Sequence, residues 1–146
     1  MKINLKNGID KLIFGMKQKD VSAVYGAPDR NYKDEDDNVI FTYNKFKMRL
    51  TFYKDEDFKM GYIVASSPDL ELFGNTLIGK NIKDVKNELA KKNITKFTQE
   101  EFDTFENYFN EDNWLLFQTE FDEVVKLEVG AIINDKDEFE WKFGKK

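Results

Sequence analysis

With no histidine and no cysteine in 146 residues, any chemistry in this chain falls to carboxylates, lysines, tyrosines and three serines. Histidine is the commonest general base and metal ligand near neutral pH, so serine–histidine triads and histidine metal sites cannot be assembled. The lack of cysteine removes disulfides, thiolate zinc sites and thiol catalysis. No pair of acids commands the role of a catalytic dyad with divergent pKa values. The composition therefore points to a non-enzyme that needs no cofactor.

Two segments invite a ligand and then fail the test. Asp34, Asp36 and Asn38 have the spacing that opens a calcium loop, but Val39 stands where that loop needs glycine and Lys45 where it needs a bidentate acid. Gly26-Ala27-Pro28 lacks the lysine and hydroxyl of a phosphate cradle and reads as a helix stop. Neither a metal nor a nucleotide is expected.

The formal net charge is -5, and Arg30 and Arg49 are the two arginines. Such a chain repels a phosphate backbone instead of releasing counterions from it, so nucleic acid is not expected as a partner. Fourteen phenylalanines read as core and not as a base-stacking platform, which would sit in a basic groove. Acids gather near predicted strand ends, at Asp34 to Asp37, Asp55 to Asp57, Glu100-Glu101, Glu111-Asp112, and Glu120 with Asp122 and Glu123. Converging loops would make of them a rim for a basic protein; solvated turns are the plainer reading.

The elements that must position these side chains follow from an internal similarity. Gly15 matches Gly79, and Lys19-Asp20-Val21 matches Lys83-Asp84-Val85, at an offset of 64. Ile40 with Phe105, Tyr43 with Tyr108, Phe52 with Phe117, Asp57 with Asp122 and Val64 with Val129 follow at 65. The expected fold is α+β: one compact domain, 1–146, of two tandem helix-plus-antiparallel-sheet units, about 12–66 and 72–134, with helices on one sheet face and a last strand at 138–143. Val21, Val24 and Tyr25 mark the first helix; Ile82, Val85 and Leu89, after Asn81 as N-cap, mark the second. Phe46, Met48, Leu50 and Phe52 alternate with polar residues as a half-buried strand; Met60, Tyr62 and Val64, then Val125, Leu127 and Val129, repeat the habit.

The sheet face away from the helices is then free for a partner. At the same offset Arg49 and Thr51 correspond to Trp114 and Leu116, an outward tryptophan beside a leucine. Large amphipathic aromatics carry much of the energy of buried contacts. The candidate binding set is Trp114 and Leu116 with Glu111, Asp112, Glu120, Asp122 and Glu123, joined by Arg49 and Tyr53. Burial of this strand by the other unit is the alternative.

The opening stretch has only Leu12, Ile13 and Phe14 where a secretory leader needs a continuous apolar segment, and no run approaches the roughly 20 apolar residues of a membrane span. A cytoplasmic protein is expected, off the membrane.

Gly15-Met16, Val21 and Gly26-Ala27-Pro28 resemble the G-M-x4-V-x4-G-x-P signature of beta-lactamase-inhibitor-like (BLIP-like) proteins and of the small lipoprotein of the outer-membrane barrel-assembly machinery. The second unit keeps Gly79, Lys80 and Val85 but departs from the signature at Ala90. The resemblance implies a concave sheet face that grips a protein. A cytoplasmic relative would look like a bacterial toxin immunity protein, occluding the active groove of a basic toxin domain. The other reading is a cytoplasmic scaffold or regulatory module, including one that pairs with itself as a homodimer.

Overall fold

A computed structural model describes residues 1–144. The chain opens with a small antiparallel ribbon, β1 (Ile3–Asn4), β2 (Gly8–Ile9) and β3 (Leu12–Ile13), followed by helix α1 (Gln18–Tyr25). A meander of β4 (Arg30–Lys33), β5 (Val39–Tyr43), β6 (Met48–Tyr53) and β7 (Lys59–Ala65) comes next. The short pair β8 (Glu71–Leu72) and β9 (Asn75–Thr76) leads to helix α2 (Ile82–Ala90). A second meander, β10 (Thr98–Phe102), β11 (Phe105–Asn110), β12 (Leu115–Glu120) and β13 (Glu123–Gly130), completes the regular structure.

The eight meander strands form one antiparallel sheet in the order β10-β11-β12-β13-β7-β6-β5-β4. Its seam is the pairing of β13 with β7, Leu127 to Ala65 through Gly130 to Tyr62. This corrects the expected architecture. Among the described residues the protein is mainly β, with one eight-stranded sheet, two small ribbons and two α-helices of eight and nine residues, and not two tandem helix-plus-sheet units. The seam joins into a single sheet the two meanders that the internal similarity marks. Much of the cover on the inner face comes from the N-terminal ribbon, which buries Ile9, Leu12 and Phe14 completely or nearly so.

Local chemistry explains each boundary. Asn81 accepts the Lys83 amide at 2.9 Å and starts α2, whose Ile82, Val85 and Leu89 are all buried at helical spacing. Gly26, at φ 80°, closes α1 with its N–H on the Ser22 carbonyl. That helix buries Val21 alone; Val24 faces solvent and Tyr25 is half-buried, so its apolar stripe is narrower than expected. In β6 the alternation holds, with Met48, Leu50 and Phe52 inward. Phe46 is excluded, lying in the turn before the strand.

In β7 the alternation breaks. Gly61 is an extra residue between Tyr62, opposite Thr51, and Met60, opposite Phe52. Met60, Ile63 and Ala65 therefore point inward, while Tyr62 and Val64 point outward. β13 does the same around Val125, so Val124, Leu127 and Val129 are the buried residues. One core results, with Phe41, Leu50, Phe52, Ile63, Leu115, Phe117 and Leu127 from the sheet against both helices and the ribbon. Each fully buried side chain of this size contributes about 1.5–3 kcal/mol.

Residues 138–143 do not form a strand of the sheet. They make one isolated bridge, Ile133 with Phe139, and the Lys142 and Phe143 amides bind the Phe14 carbonyl at 3.0 Å. Phe139 stacks between Tyr53 (5.5 Å) and Trp141 (4.8 Å), and a β-carbon on Gly61 would touch the Trp141 ring at 3.3 Å. The tail thus covers one end of the outer sheet face, beside β6 and β7.

Candidate protein-binding face

The rest of the outer face is built by register. Phe109, Leu116, Glu128, Val64, Arg49 and Thr42 stand directly opposite one another across β11, β12, β13, β7, β6 and β5. Beside this row Tyr62 donates its hydroxyl to Glu128 at 2.5 Å, and Lys126 lies 3.8 Å from the other carboxylate oxygen. Burial first, then the hydrogen bond and charge of Glu128, push the Tyr62 phenol far above its ordinary range. It stays a neutral donor under all physiological conditions.

Trp114 is not on a strand. It ends the turn between β11 and β12 with φ 47°, its amide bound to the Glu111 carbonyl at 3.1 Å and its carbonyl accepting from Gly130 at 3.0 Å. The side chain of Asn110 anchors the same turn, its Oδ1 accepting from both nitrogens of Asn113. The indole lies on Gly130 and meets Phe109 edge to face at 5.1 Å. Between them and Tyr62, Thr98, Glu100, Asn107 and Leu116 is an open recess of about 240 Å³.

The predicted residues divide. Trp114 and Leu116 meet on the recess, both half-buried. Arg49 is exposed on the same face, across Val64. Tyr53 is occupied by the tail, stacked on Phe139, and lies outside the recess. Glu111 and Asp112 are exposed in the Trp114 turn. Glu120, Asp122 and Glu123 sit at the far end of β12, about 17 Å away along the strand. There the backbone of this hairpin serves α2: the Ile82 amide binds the Asp122 carbonyl at 2.8 Å and the Val124 amide the Lys80 carbonyl at 2.9 Å. The acids therefore do not form one rim around the tryptophan.

Other residues of the face were missed. Phe109, Tyr62, Thr98 and Asn107 complete the recess together with Glu100 of the expected acids, and Phe121 (78% exposed) and Phe102 (49%) stand on hairpin tips among the acids. One signal was available: residues 98–130 hold ten carboxylates against a single cation, Lys126. The Asp34 loop is self-satisfied, its carboxylate accepting from the amides of Asp36 (2.9 Å) and Asn38 (3.0 Å) and from the Asn38 side chain. Among the described residues no group of three acids has the geometry of a metal site, and no helix is long and apolar enough to cross a membrane.

No family model and no curated protein matches the sequence. Solved structures share the fold. An extracellular protein containing a SCP domain from Bacillus anthracis str. Ames is 14% identical, with a TM-score of 0.53 over 80% of this chain and 43% of that one. A cysteine-rich secretory protein from Staphylococcus aureus subsp. aureus Mu50 is 15% identical, with a TM-score of 0.50 over 81% of this chain and 43% of that one. The chain thus spans less than half the length of each, and the likeness is one of fold.

These neighbours correct the resemblance to beta-lactamase-inhibitor-like proteins and to the barrel-assembly lipoprotein, as does the sheet-dominated architecture. The shared signature has a local cause: Gly15 (φ 109°) and Gly26 (φ 80°) take positive φ in the turns on either side of α1, a conformation that glycine adopts without strain. The tandem-unit reading, drawn from the internal similarity, is corrected by the single eight-stranded sheet, and the toxin-immunity assignment, which rested on the resemblance, loses that support.

Proposed function

We propose that this protein is a non-enzymatic module that binds a protein partner on the outer sheet face, from β10 to β7. The supporting observation is the fixed placement of Trp114. Gly130 and Phe109 hold the indole in one orientation beside an open recess, so little side-chain entropy is lost when a partner covers it. A rigid, half-exposed aromatic ringed by residues that exclude water is the usual anatomy of a binding hot spot.

The test is paired capture. Wild-type protein and Trp114→Ala are immobilised separately, exposed to extract and culture medium of the source cells, and the retained protein is purified and titrated. Loss of about 2 kcal/mol, near thirtyfold in Kd, supports the face. Equal binding to both removes this reading, and a homodimer that occupies the face replaces it with a self-associating scaffold.

As to compartment, the two fold neighbours are described as an extracellular protein and a secretory protein. We propose a place outside the cytoplasm, in line with them and in place of the cytoplasmic expectation. A chain without cysteine has no thiols to oxidise and folds alike on either side. Fractionation of the source culture with an antibody to the chain decides this.

A further inference from the structure

We infer that the recess beside Trp114 receives the guanidinium of an arginine presented by a basic protein partner; this rests on the protein-binding reading and names the chemistry of what binds. At about 240 Å³ the recess is smaller than the pockets that enclose whole small molecules, and suits a single long side chain. Trp114 and Phe109 supply aromatic walls, and a cation over an indole face is attracted by the ring quadrupole.

The carboxylates beside the walls have different duties. Glu128 is engaged by Tyr62 and Lys126, whereas the Glu100 carboxylate, on the edge strand β10, has neither hydrogen bond nor ion pair among the described residues. An arriving cation therefore pairs with Glu100 without displacing an internal partner. The surrounding ten-to-one excess of acid over base in residues 98–130 draws positive charge to this half of the sheet. A flat guanidinium stacks on aromatic faces and forks to a carboxylate, which a compact, strongly hydrated ammonium does not match.

Blocked tetra-arginine and tetra-lysine peptides are titrated into the isotope-labelled full chain, with the indole N–H of Trp114 as reporter and that of Trp141 as reference. Tetra-arginine should move the Trp114 signal saturably and leave Trp141 in place. Tetra-lysine should bind at least threefold more weakly, and Glu100→Gln should raise the tetra-arginine Kd at least fivefold while the remaining amide spectrum is unchanged. A still Trp114 signal, equal binding of the two peptides, or an unaffected Kd in Glu100→Gln overturns the assignment. If tetra-arginine ignores the recess while a captured partner is still lost with Trp114→Ala, the guanidinium is wrong and the face stands. If capture ignores Trp114→Ala, the face itself is wrong, whatever the peptides do.

Discussion

Trp114 lies on Gly130 so closely that a β-carbon there would stand 2.3 Å from the indole Cδ1. The glycine backbone is not in a left-handed conformation, so the position is reserved by the indole and not by its own dihedrals. Gly130→Ala should lift the indole off the sheet and cost about 1–3 kcal/mol through overpacking. Urea denaturation gives the cost, and a shift in tryptophan emission reports the displaced ring. Unchanged emission would mean that the ring does not rest there.

The two sides of β12 should respond differently to truncation. Phe117 is fully buried in the core, and Phe117→Ala is expected to destabilise by about 3–5 kcal/mol. Leu116, its neighbour on the outer face, is half-exposed, and Leu116→Ala should cost about 1 kcal/mol or less. Equal losses in chemical denaturation would show that the outer face is covered.

These elements also show where the sequence was legible. The inward set of β6 and the buried stripe of α2 follow from spacing alone, because nothing interrupts either period. The faces of β7 and β13 do not, since one extra residue, at Gly61 and at Val125, flips every side chain beyond it. Trp114 is misplaced for another reason: at a constant offset it corresponds to Arg49 within β6, whereas β12 begins only at Leu115 and Trp114 closes the turn before it. Pairing of β7 with β13 is a contact between residues far apart in the chain, and no local pattern announces it. The acid-rich stretch 98–130, by contrast, was open to a simple count.

The C-terminal aromatic stack should contribute measurably to stability. Trp141 is half-buried against Gly61 and stacked on Phe139, which in turn stacks on Tyr53. Trp141→Ala is expected to cost about 1–2 kcal/mol, less than a fully buried aromatic. A denaturation midpoint unmoved by the substitution would detach the tail from the sheet.

Alkaline pH should loosen the fold. Burial and then the Glu128 contacts raise the Tyr62 phenol, and burial with Glu106 pushes Tyr108 up to about 12. In the unfolded chain both ionise near 10, so the unfolded state holds fewer protons above that value. Stability is then complete below pH 10 and falls as pH rises toward the folded values. Tyr62→Phe should flatten this slope between about pH 10 and 12, read from urea midpoints, and remove a late phenolate from the absorbance titration. A slope equal to wild type would contradict the placement of Tyr62.

The seam between β7 and β13 bears on how the molecule is made. A ribosome delivers β4 to β7 well before residues 124–130, and until they arrive β7 is an open strand edge with Ile63 and Ala65 on its apolar side. The nascent chain passes through a window in which the later centre of the sheet is its margin, so crowding and slow translation across residues 66–123 are expected to favour edge-to-edge association at β7.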